Sequence, residues 1–153
     1  MALKVIEGNL LDVKEGIIAH QVNTAGVMGA GIALAIKNKW PYVYHEYQFE
    51  CNQFNQTDKQ ILGHCHLVQL ERPFDHFDGL YVANIFGQHL YGKKTRKTNY
   101  GAVSKAFSKL RAYSDIQVYV PYLMGCGLGG GDFEIYSEII EAFIPNAIVV
   151  RLP

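Results

Sequence analysis

The sequence predicts an α/β fold of three layers, with helices covering both faces of a central mixed sheet of about six strands. Short apolar runs typical of strands alternate along the chain with amphipathic segments of helical period. The run at residues 80–86 is almost wholly apolar, which is typical of a strand buried on both faces. No linker or internal repeat divides the chain, so we expect residues 1–153 to form a single domain.

The elements follow from these patterns in chain order. Strands are predicted at residues 3–7, 17–22, 65–70, 80–86, 117–123 and 147–152. Helices are predicted at residues 30–39, 100–110 and 132–143, with a further helix that begins at Pro41. Proline fits the first position of a helix because the N–H it lacks would have no partner there. Residues 52–59 and 87–98 are predicted to be loops.

Composition and charge narrow the function classes. Lys and Arg together number 14, as do Asp and Glu, which argues against a domain that holds nucleic acid by its overall field. The dense basic cluster at residues 93–97 is either a solvated loop or a local functional patch. Three cysteines without a C-x-x-C pair predict free thiols in the cytoplasm. Without a signal-peptide pattern or an apolar run of roughly 18 residues, no membrane association is expected.

A glycine-rich loop follows the predicted strand at 117–123. Gly125, Gly127 and Gly130 satisfy G-x-G-x-x-G, the pattern of a dinucleotide-binding Rossmann fold. That fold also requires an acid about 20 residues further on, where this chain has Val150 and no acid on the last strand. The Rossmann interpretation is therefore rejected.

A second glycine loop, at residues 22–32, also joins a predicted buried strand to a helix. Gly29 and Gly31 allow close approach of the backbone, and the helix N-terminus offers unpaired N–H groups to an anion. Neither loop ends in the G-K-[ST] of a P-loop. Together the two loops predict a clamp on one diphosphate. The alternative is a pair of tight turns without a ligand.

Four separated segments carry a joint pattern, namely residues 8–11 (GNLL), 20–33, 83–88 (ANIFGQ) and 121–133. In this order the chain resembles a macrodomain, the ADP-ribose-binding module, and most of all the bacterial and phage proteins that process ADP-ribose 1''-phosphate. The resemblance spans nearly the whole chain. It implies ADP-ribose or a derivative as the partner. We expect no cofactor or metal, and we expect the cytoplasm of a bacterium or of a phage-infected host.

The resemblance also implies a ligand cleft at the ends of the central strands. Asn9 stands where many members carry an Asp that binds the adenine amino group, so adenine selectivity is expected to be softer here. Asn23 matches the position beside the distal ribose, and the two glycine loops hold the diphosphate between them. The implied ligand-binding residues are Asn9, Leu10, Val22, Asn23, Met28, Gly29, Ala30, Gly31, Ile32, Gln88, Gly125, Cys126, Gly127, Leu128, Gly129 and Gly130.

Hydrolysis at the distal ribose requires a group that orients or deprotonates water. Some family members use a Lys after the fourth strand or an Asp directly after C-G-L, but this chain has Gln88-His89 and Gly129 there. The remaining candidates are His20, Asn23, Gln88, His89 and Asp132, and of these we take Asn23, Asp132 and His20 as the catalytic ones. Asp132 is either a helix cap alone or a cap that also positions water. His20 is either catalytic or a core histidine.

Three functions remain open. The first is hydrolysis of small ADP-ribose derivatives, such as the 1''-phosphate or the O-acetyl ester. The second is removal of ADP-ribose from modified protein or DNA, with nucleic acid a partner only as an ADP-ribosylated substrate. The third is a non-catalytic reader or sponge of ADP-ribose-like nucleotides.

Overall fold

A computed structural model describes residues 2–54, 61–71, 79–89, 98–126 and 130–153. The strands are β1 (Lys4–Glu7), β2 (Gly16–Asn23), β3 (Cys65–Glu71), β4 (Leu80–Gln88), β5 (Val118–Pro121) and β6 (Ile148–Arg151). The helices are α1 (Gly31–Lys39), α2 (Pro41–Gln53), α3 (Tyr100–Leu110) and α4 (Phe133–Phe143). Short 3-10 helices cover Leu10–Asp12 and Arg111–Tyr113. In this described part, no helix has the length and apolar character needed to cross a membrane.

The six strands form one sheet in the order β1-β6-β5-β2-β4-β3. All neighbouring pairs are parallel except β3 and β4, which are antiparallel. The predicted mixed sheet is therefore confirmed. Because β2 lies at the centre, its residues Ile17, Ile18 and Ala19 are completely buried.

Two separate apolar clusters lie on the two faces of the sheet. Ile18 and Val22 of β2 face one way and pack with residues of α1 and α2. Ile17 and Ala19 face the other way and pack with residues of α3 and α4. Alternation along the strand explains this division, since successive side chains point to opposite faces. The predicted three-layer arrangement is confirmed.

Most predicted element boundaries agree with the structure to within one residue, but three do not. β5 ends at Pro121 rather than at residue 123, because the Met124 amide donates to the Pro121 carbonyl across a turn at 3.1 Å. β4 continues to Gln88, although a loop was predicted from residue 87, because Gln88 pairs with Asn23 of β2. Helix α2 includes residues 52 and 53, which were predicted as loop. Phe54 follows as the C-cap of the helix, and residues 55–59 of the predicted loop lie outside the described residues.

Candidate functional site

The topology opens a crevice between two neighbouring strands. Parallel strands β2 and β5 pair with each other, but β2 leads to α1 on one face and β5 leads to α4 on the other. Ligands of open α/β sheets bind at such a switch point, beyond the carboxyl ends of the strands. A cleft of about 710 Å³ lies there. It is lined by Gln21, Val22, Asn23, Val27, Gly29, Ala30, Gly31, Ile32, Ala33, Gln88, Pro121, Tyr122, Leu123, Met124, Gly125 and Cys126.

One side of the cleft, which we call the first wall (residues 23–31), is organised by Asn23. The Asn23 side-chain oxygen accepts from the Ala25 amide at 3.0 Å, and its amide nitrogen donates to the Val27 carbonyl at 2.9 Å. Both ends of the side chain thus fold the wall on itself, as Asn side chains do in turns. Asn23 lines the cleft, but its polar atoms are already engaged with the protein.

Tyr47 of α2 supports the first wall from beneath. Its side chain is completely buried, and its hydroxyl accepts from the Gly26 amide at 3.1 Å. The same hydroxyl lies within donating distance of two oxygens of Asn23. Burial raises the pKa of Tyr47 far above its usual value, so the hydroxyl keeps its proton and remains a donor.

Helix α1 begins at the end of the first wall. Gly29, Ala30 and Gly31 are exposed, and the Ala30 cap position provides no side-chain hydrogen bond to the helix. Gly31 has a φ of +57°, a conformation that glycine adopts without strain. The first turn of α1 therefore presents backbone N–H groups and a positive dipole end to the cleft, which favours an anion.

The opposite side of the cleft, the second wall (residues 121–126), contains an unusual backbone conformation. Leu123 has a φ of +62°, in the left-handed region that a bulky residue rarely adopts. The turn exposes 51% of the Leu123 side chain and 39% of the neighbouring Tyr122. Strain of this kind is concentrated at functional sites, and here it places an apolar side chain on the cleft.

The peptide between Gly125 and Cys126 is held at both ends. The Gly125 carbonyl accepts from the Thr98 hydroxyl at 2.8 Å and from the Gly131 amide at 2.9 Å. The Cys126 amide donates to the Leu123 carbonyl at 3.0 Å. Gly125 has a φ of +76°, and a Cβ there would clash with the ring of Tyr136. Glycine is therefore required at position 125 on both counts.

Gln21 is a cleft residue that the sequence reasoning missed. Its amide nitrogen donates to Gln88 Oε1 at 3.2 Å and to Thr98 Oγ1 at 2.9 Å. Its oxygen accepts from the Tyr136 hydroxyl at 2.9 Å. The available signal was a long polar side chain near the carboxyl end of a strand that is otherwise buried, because such a side chain needs several partners.

The chain is similar to several known proteins, although no family model matches it. The chain is 27% identical to a DNA ADP-ribosyl transferase–DNA ADP-ribosyl glycohydrolase fusion protein of Thermosipho africanus, over 93% of this chain and 39% of that protein. It is 29% identical to an ADP-ribose 1''-phosphate phosphatase of Meyerozyma guilliermondii, over 60% of this chain and 57% of that protein. The chain thus spans less than two thirds of the length of either relative.

Solved structures settle the fold. A protein of unknown function from Bacteroides thetaiotaomicron matches with a TM-score of 0.81 and 27% identity, over 99% of this chain and 98% of that one. A macrodomain protein from Streptomyces coelicolor matches with a TM-score of 0.75 and 23% identity, over 97% of each chain. Thermosipho africanus DarTG in complex with ADP-ribose matches with a TM-score of 0.74 and 20% identity, over 98% of this chain and 42% of that one. The chain has the macrodomain fold.

The macrodomain cleft brings together many of the predicted ligand-binding residues. Those that line it are Val22, Asn23, Gly29, Ala30, Gly31, Ile32, Gln88, Gly125 and Cys126. Asn9, Leu10, Met28 and Gly130 are not among the lining residues. Asn9 instead caps the 3-10 helix by accepting from the Leu11 amide, whereas Leu10 and Met28 are buried in the core. Gly127, Leu128 and Gly129 lie outside the described residues.

The structure does not bring His20 to the macrodomain cleft. His20 is completely buried, does not line the cleft, and shares a hydrogen bond with Asn84 Oδ1 at 2.7 Å. Burial lowers the pKa of His20 to about 4, so the imidazole is neutral near pH 7. Asn84 in turn contacts His66, and His66 lies 3.3 Å from Glu50 of α2. His20 thus begins a polar chain within the α2 side of the molecule.

The catalytic candidate Asp132 lies at the start of α4. Asp132 is the N-cap of α4, since its carboxylate accepts from the Glu134 amide at 2.9 Å, and the cap prediction is confirmed. The carboxylate is exposed and does not line the cleft.

The Cys126 thiol lies in the second wall of the cleft. Burial raises the pKa of this thiol to about 11, and the thiol donates to the Met124 carbonyl. A protonated thiol is a poor nucleophile, which argues against covalent catalysis by Cys126.

Proposed function

We propose that this macrodomain binds ADP-ribose and hydrolyses small ADP-ribose derivatives at the distal ribose, with the 1''-phosphate or the O-acetyl ester as substrate. One observation carries the proposal. The first and second walls, which follow the neighbouring parallel strands β2 and β5, face each other across a cleft of about 710 Å³, and the N-terminus of α1 opens onto it. A cleft of this volume is within the range that small-molecule ligands occupy.

The diphosphate of the ligand fits the first turn of α1. Backbone N–H groups and the helix dipole suit an anion there, and residues 29–31 are exposed to receive it. Gly125 and Cys126 of the second wall face the diphosphate from the other side. Three exposed apolar side chains on the rims, Val27, Tyr122 and Leu123, offer contact area to the rings of the ligand.

In the hydrolytic step, water attacks the phosphorus of the 1''-phosphate, the bond from phosphorus to the ribosyl oxygen breaks, and ADP-ribose and inorganic phosphate leave. Asn23 keeps the first wall in the shape that receives the distal ribose. Asp132, which caps α4 next to the second wall and does not itself line the cleft, is the carboxylate that we propose orients the water; the alternative is a cap alone. The phosphatase of Meyerozyma guilliermondii, at 29% identity, supports this substrate class.

Calorimetry and phosphate release test the proposal together. Titration with ADP-ribose is expected to give saturable binding, and incubation with ADP-ribose 1''-phosphate is expected to release phosphate. Asn23→Ala is expected to weaken both, whereas Asn52→Ala, an exposed position on α2, serves as the matched control. No heat at millimolar ADP-ribose would refute the proposed function while leaving the fold untouched.

Removal of ADP-ribose from a macromolecule is the second candidate. It is favoured by the alignment with the Thermosipho africanus fusion protein, which covers 93% of this chain. Release of ADP-ribose from an ADP-ribosylated oligonucleotide or protein, measured beside phosphate release, discriminates the two enzymes. Binding of ADP-ribose without turnover of any of these substrates would identify a reader or sponge.

We also infer that residues 1–153 act as a single domain in the cytoplasm of a bacterium or of a phage-infected host. All three cysteines, Cys51, Cys65 and Cys126, are free thiols. Free thiols support a reducing compartment. Fractionation of the native host, followed by detection of the chain in each fraction, tests the compartment.

A further inference from the structure

A directed chain of hydrogen bonds runs beneath the second wall. The Tyr136 hydroxyl donates to Gln21 Oε1 at 2.9 Å, and Gln21 Nε2 donates to Thr98 Oγ1 at 2.9 Å. The Thr98 hydroxyl then donates to the Gly125 carbonyl at 2.8 Å. All three bonds therefore run in the same direction, from Tyr136 through Gln21 and Thr98 to Gly125. The chain therefore links α4, the end of β2 and the segment before α3 to the wall of the cleft.

These hydrogen bonds are buried, so the loss of one of them costs free energy. Tyr136 is fully buried, and Thr98 is only 3% exposed. When one partner of a buried pair is removed, the other is left without water to replace it. Gly87 packs directly against the side-chain amide of Gln21. A Cβ at this position would lie 2.7 Å from Gln21 Oε1, so only glycine leaves room for the amide.

This series of hydrogen bonds ends at the Gly125 carbonyl, in the second wall. The Gly125 carbonyl accepts from Thr98 and from Gly131, and the next amide, of Cys126, is bonded to Leu123. Loss of the Thr98 hydroxyl would leave this peptide with one fewer restraint. Its position relative to the first wall determines how well a ligand is held on both sides, and misplacement of such groups by about 1 Å is costly.

We infer that Gln21 is a positioning residue: its amide orients the Thr98 hydroxyl toward the Gly125 carbonyl and so fixes the second wall of the cleft. This inference rests on the proposed function, since the ligand used to detect it is ADP-ribose. Gln21 acts through Thr98, because its amide nitrogen donates to Thr98 Oγ1 while its amide oxygen is held by the Tyr136 hydroxyl.

Substitution at Thr98 tests the last bond of the chain. Thr98→Val keeps the shape and removes the hydroxyl, and it is expected to weaken ADP-ribose binding about tenfold. Thr98→Ser restores a hydroxyl and is expected to bind within about threefold of the wild type. Ser137→Ala is the matched control, because Ser137 is also buried but its hydroxyl donates to the Glu134 carbonyl within α4.

Substitution at Gln21 tests the direction of the chain. The carboxylate of Gln21→Glu accepts only, so it takes the Thr98 proton away from Gly125 and weakens binding about tenfold at pH 8. A buried carboxyl has a raised pKa, and its protonated form again donates to Thr98. Relative to the wild type at each pH, Gln21→Glu is expected to recover at pH 5, whereas Gln21→Leu stays weak at both.

A ligand-free measurement separates this inference from the proposed function. In the free protein, hydrogen exchange of the Cys126 amide is expected to be at least about fivefold faster in Thr98→Val than in the wild type or Ser137→Ala. If the wild type binds ADP-ribose but the Thr98 and Gln21 variants bind it equally well, the inference is wrong and the function stands. If the wild type gives no heat, the proposed function fails, and unchanged exchange at Cys126 would refute the positioning role as well.

Discussion

The hydroxyl of Tyr47 lies 2.7 Å from the backbone carbonyl oxygen of Asn23 and 2.8 Å from its side-chain oxygen. A residue of α2 thus fixes both the end of β2 and the side chain that shapes the first wall. The two residues are 24 positions apart in sequence. The wall of the cleft on this side therefore depends on a helix that contributes no lining residue of its own.

Removal of this hydroxyl should affect both stability and binding. Tyr47→Phe leaves the Gly26 amide and the Asn23 carbonyl short of a partner in a buried place, so the free energy of unfolding is expected to fall by about 1–3 kcal/mol. ADP-ribose affinity should fall in parallel. Urea denaturation and calorimetry measure the two effects. Tyr44→Phe is the control, since Tyr44 is only half-buried and bonds to Gln48; an equal loss there would contradict a special role for Tyr47.

The left-handed conformation of Leu123 leads to a second prediction. Leu123→Gly releases strain of about 1–2 kcal/mol but adds unfolded-state entropy of similar size, so the free energy of unfolding is expected to change by less than about 1 kcal/mol. Binding should nevertheless weaken because the exposed apolar side chain is lost from the cleft. The neighbouring Met124 is 3% exposed, and Met124→Gly is expected to cost about 3 kcal/mol or more. Similar losses for both variants in urea denaturation would show that Leu123 carries no strain.

The buried His20 predicts a pH dependence of stability. Its pKa is about 4 in the folded protein against 6.5 in the unfolded chain, because burial disfavours the charged form. Between these values the unfolded chain binds the proton and the folded protein does not. The free energy of unfolding should therefore be at its full value above pH 6.5, fall as the pH decreases, and level off below about 4, losing on the order of 3 kcal/mol.

Urea denaturation across this pH range checks the prediction. His20→Gln retains a donor for Asn84 and is expected to remove most of the slope. Burial also lowers the pKa of His66, so a smaller slope should remain. His45→Gln, at an exposed position on α2, should leave the slope as it is. A wild-type slope that persists in His20→Gln would show that other groups determine it.

Asp132 allows the two roles of one carboxylate to be separated. Asp132→Asn keeps the hydrogen bond to Glu134, because Asn caps helices about as well as Asp, and stability should change by less than about 0.5 kcal/mol. Asp132→Ala removes the cap and should cost about 1 kcal/mol. If the carboxylate orients water, kcat for phosphate release should fall at least about tenfold in both variants, with KM nearly unchanged. Full turnover by Asp132→Asn would leave Asp132 as a cap alone.

The fold was predictable because its signals are local. The alternation of strand and helix patterns predicted the layers, and the glycines at 29, 31 and 125 predicted where the chain turns beside a cleft. The end of β5 was wrong because Leu123 adopts a conformation that its residue type disfavours. The sequence indicates a turn only where the residue type favours the backbone conformation that the turn requires, as glycine does and leucine does not.

The supports of the cleft were not predictable in the same way. Gln21 meets Thr98 across 77 positions and Tyr136 across 115, and no spacing rule connects residues so far apart. The apolar pattern of α2 placed Tyr47 on a buried face, but it did not show where the hydroxyl would point. His20 remained ambiguous for the opposite reason, because a histidine on a buried strand has the same sequence signature whether or not a cleft lies above it.

The adjacency of β2 and β5 fixes where the two walls of the cleft begin. Each wall is the direct continuation of one of these strands, and the strands are hydrogen-bonded neighbours. Neighbouring strands stand about 4.8 Å apart, a spacing set by the backbone and not by any side chain. Substitution in the walls can change how far they stand apart beyond the sheet, but it cannot separate their starting points without breaking the pairing of the two strands. Relatives with this strand order should therefore place their two walls on the same pair of strands and differ in how side chains such as Gln21 and Thr98 hold those walls.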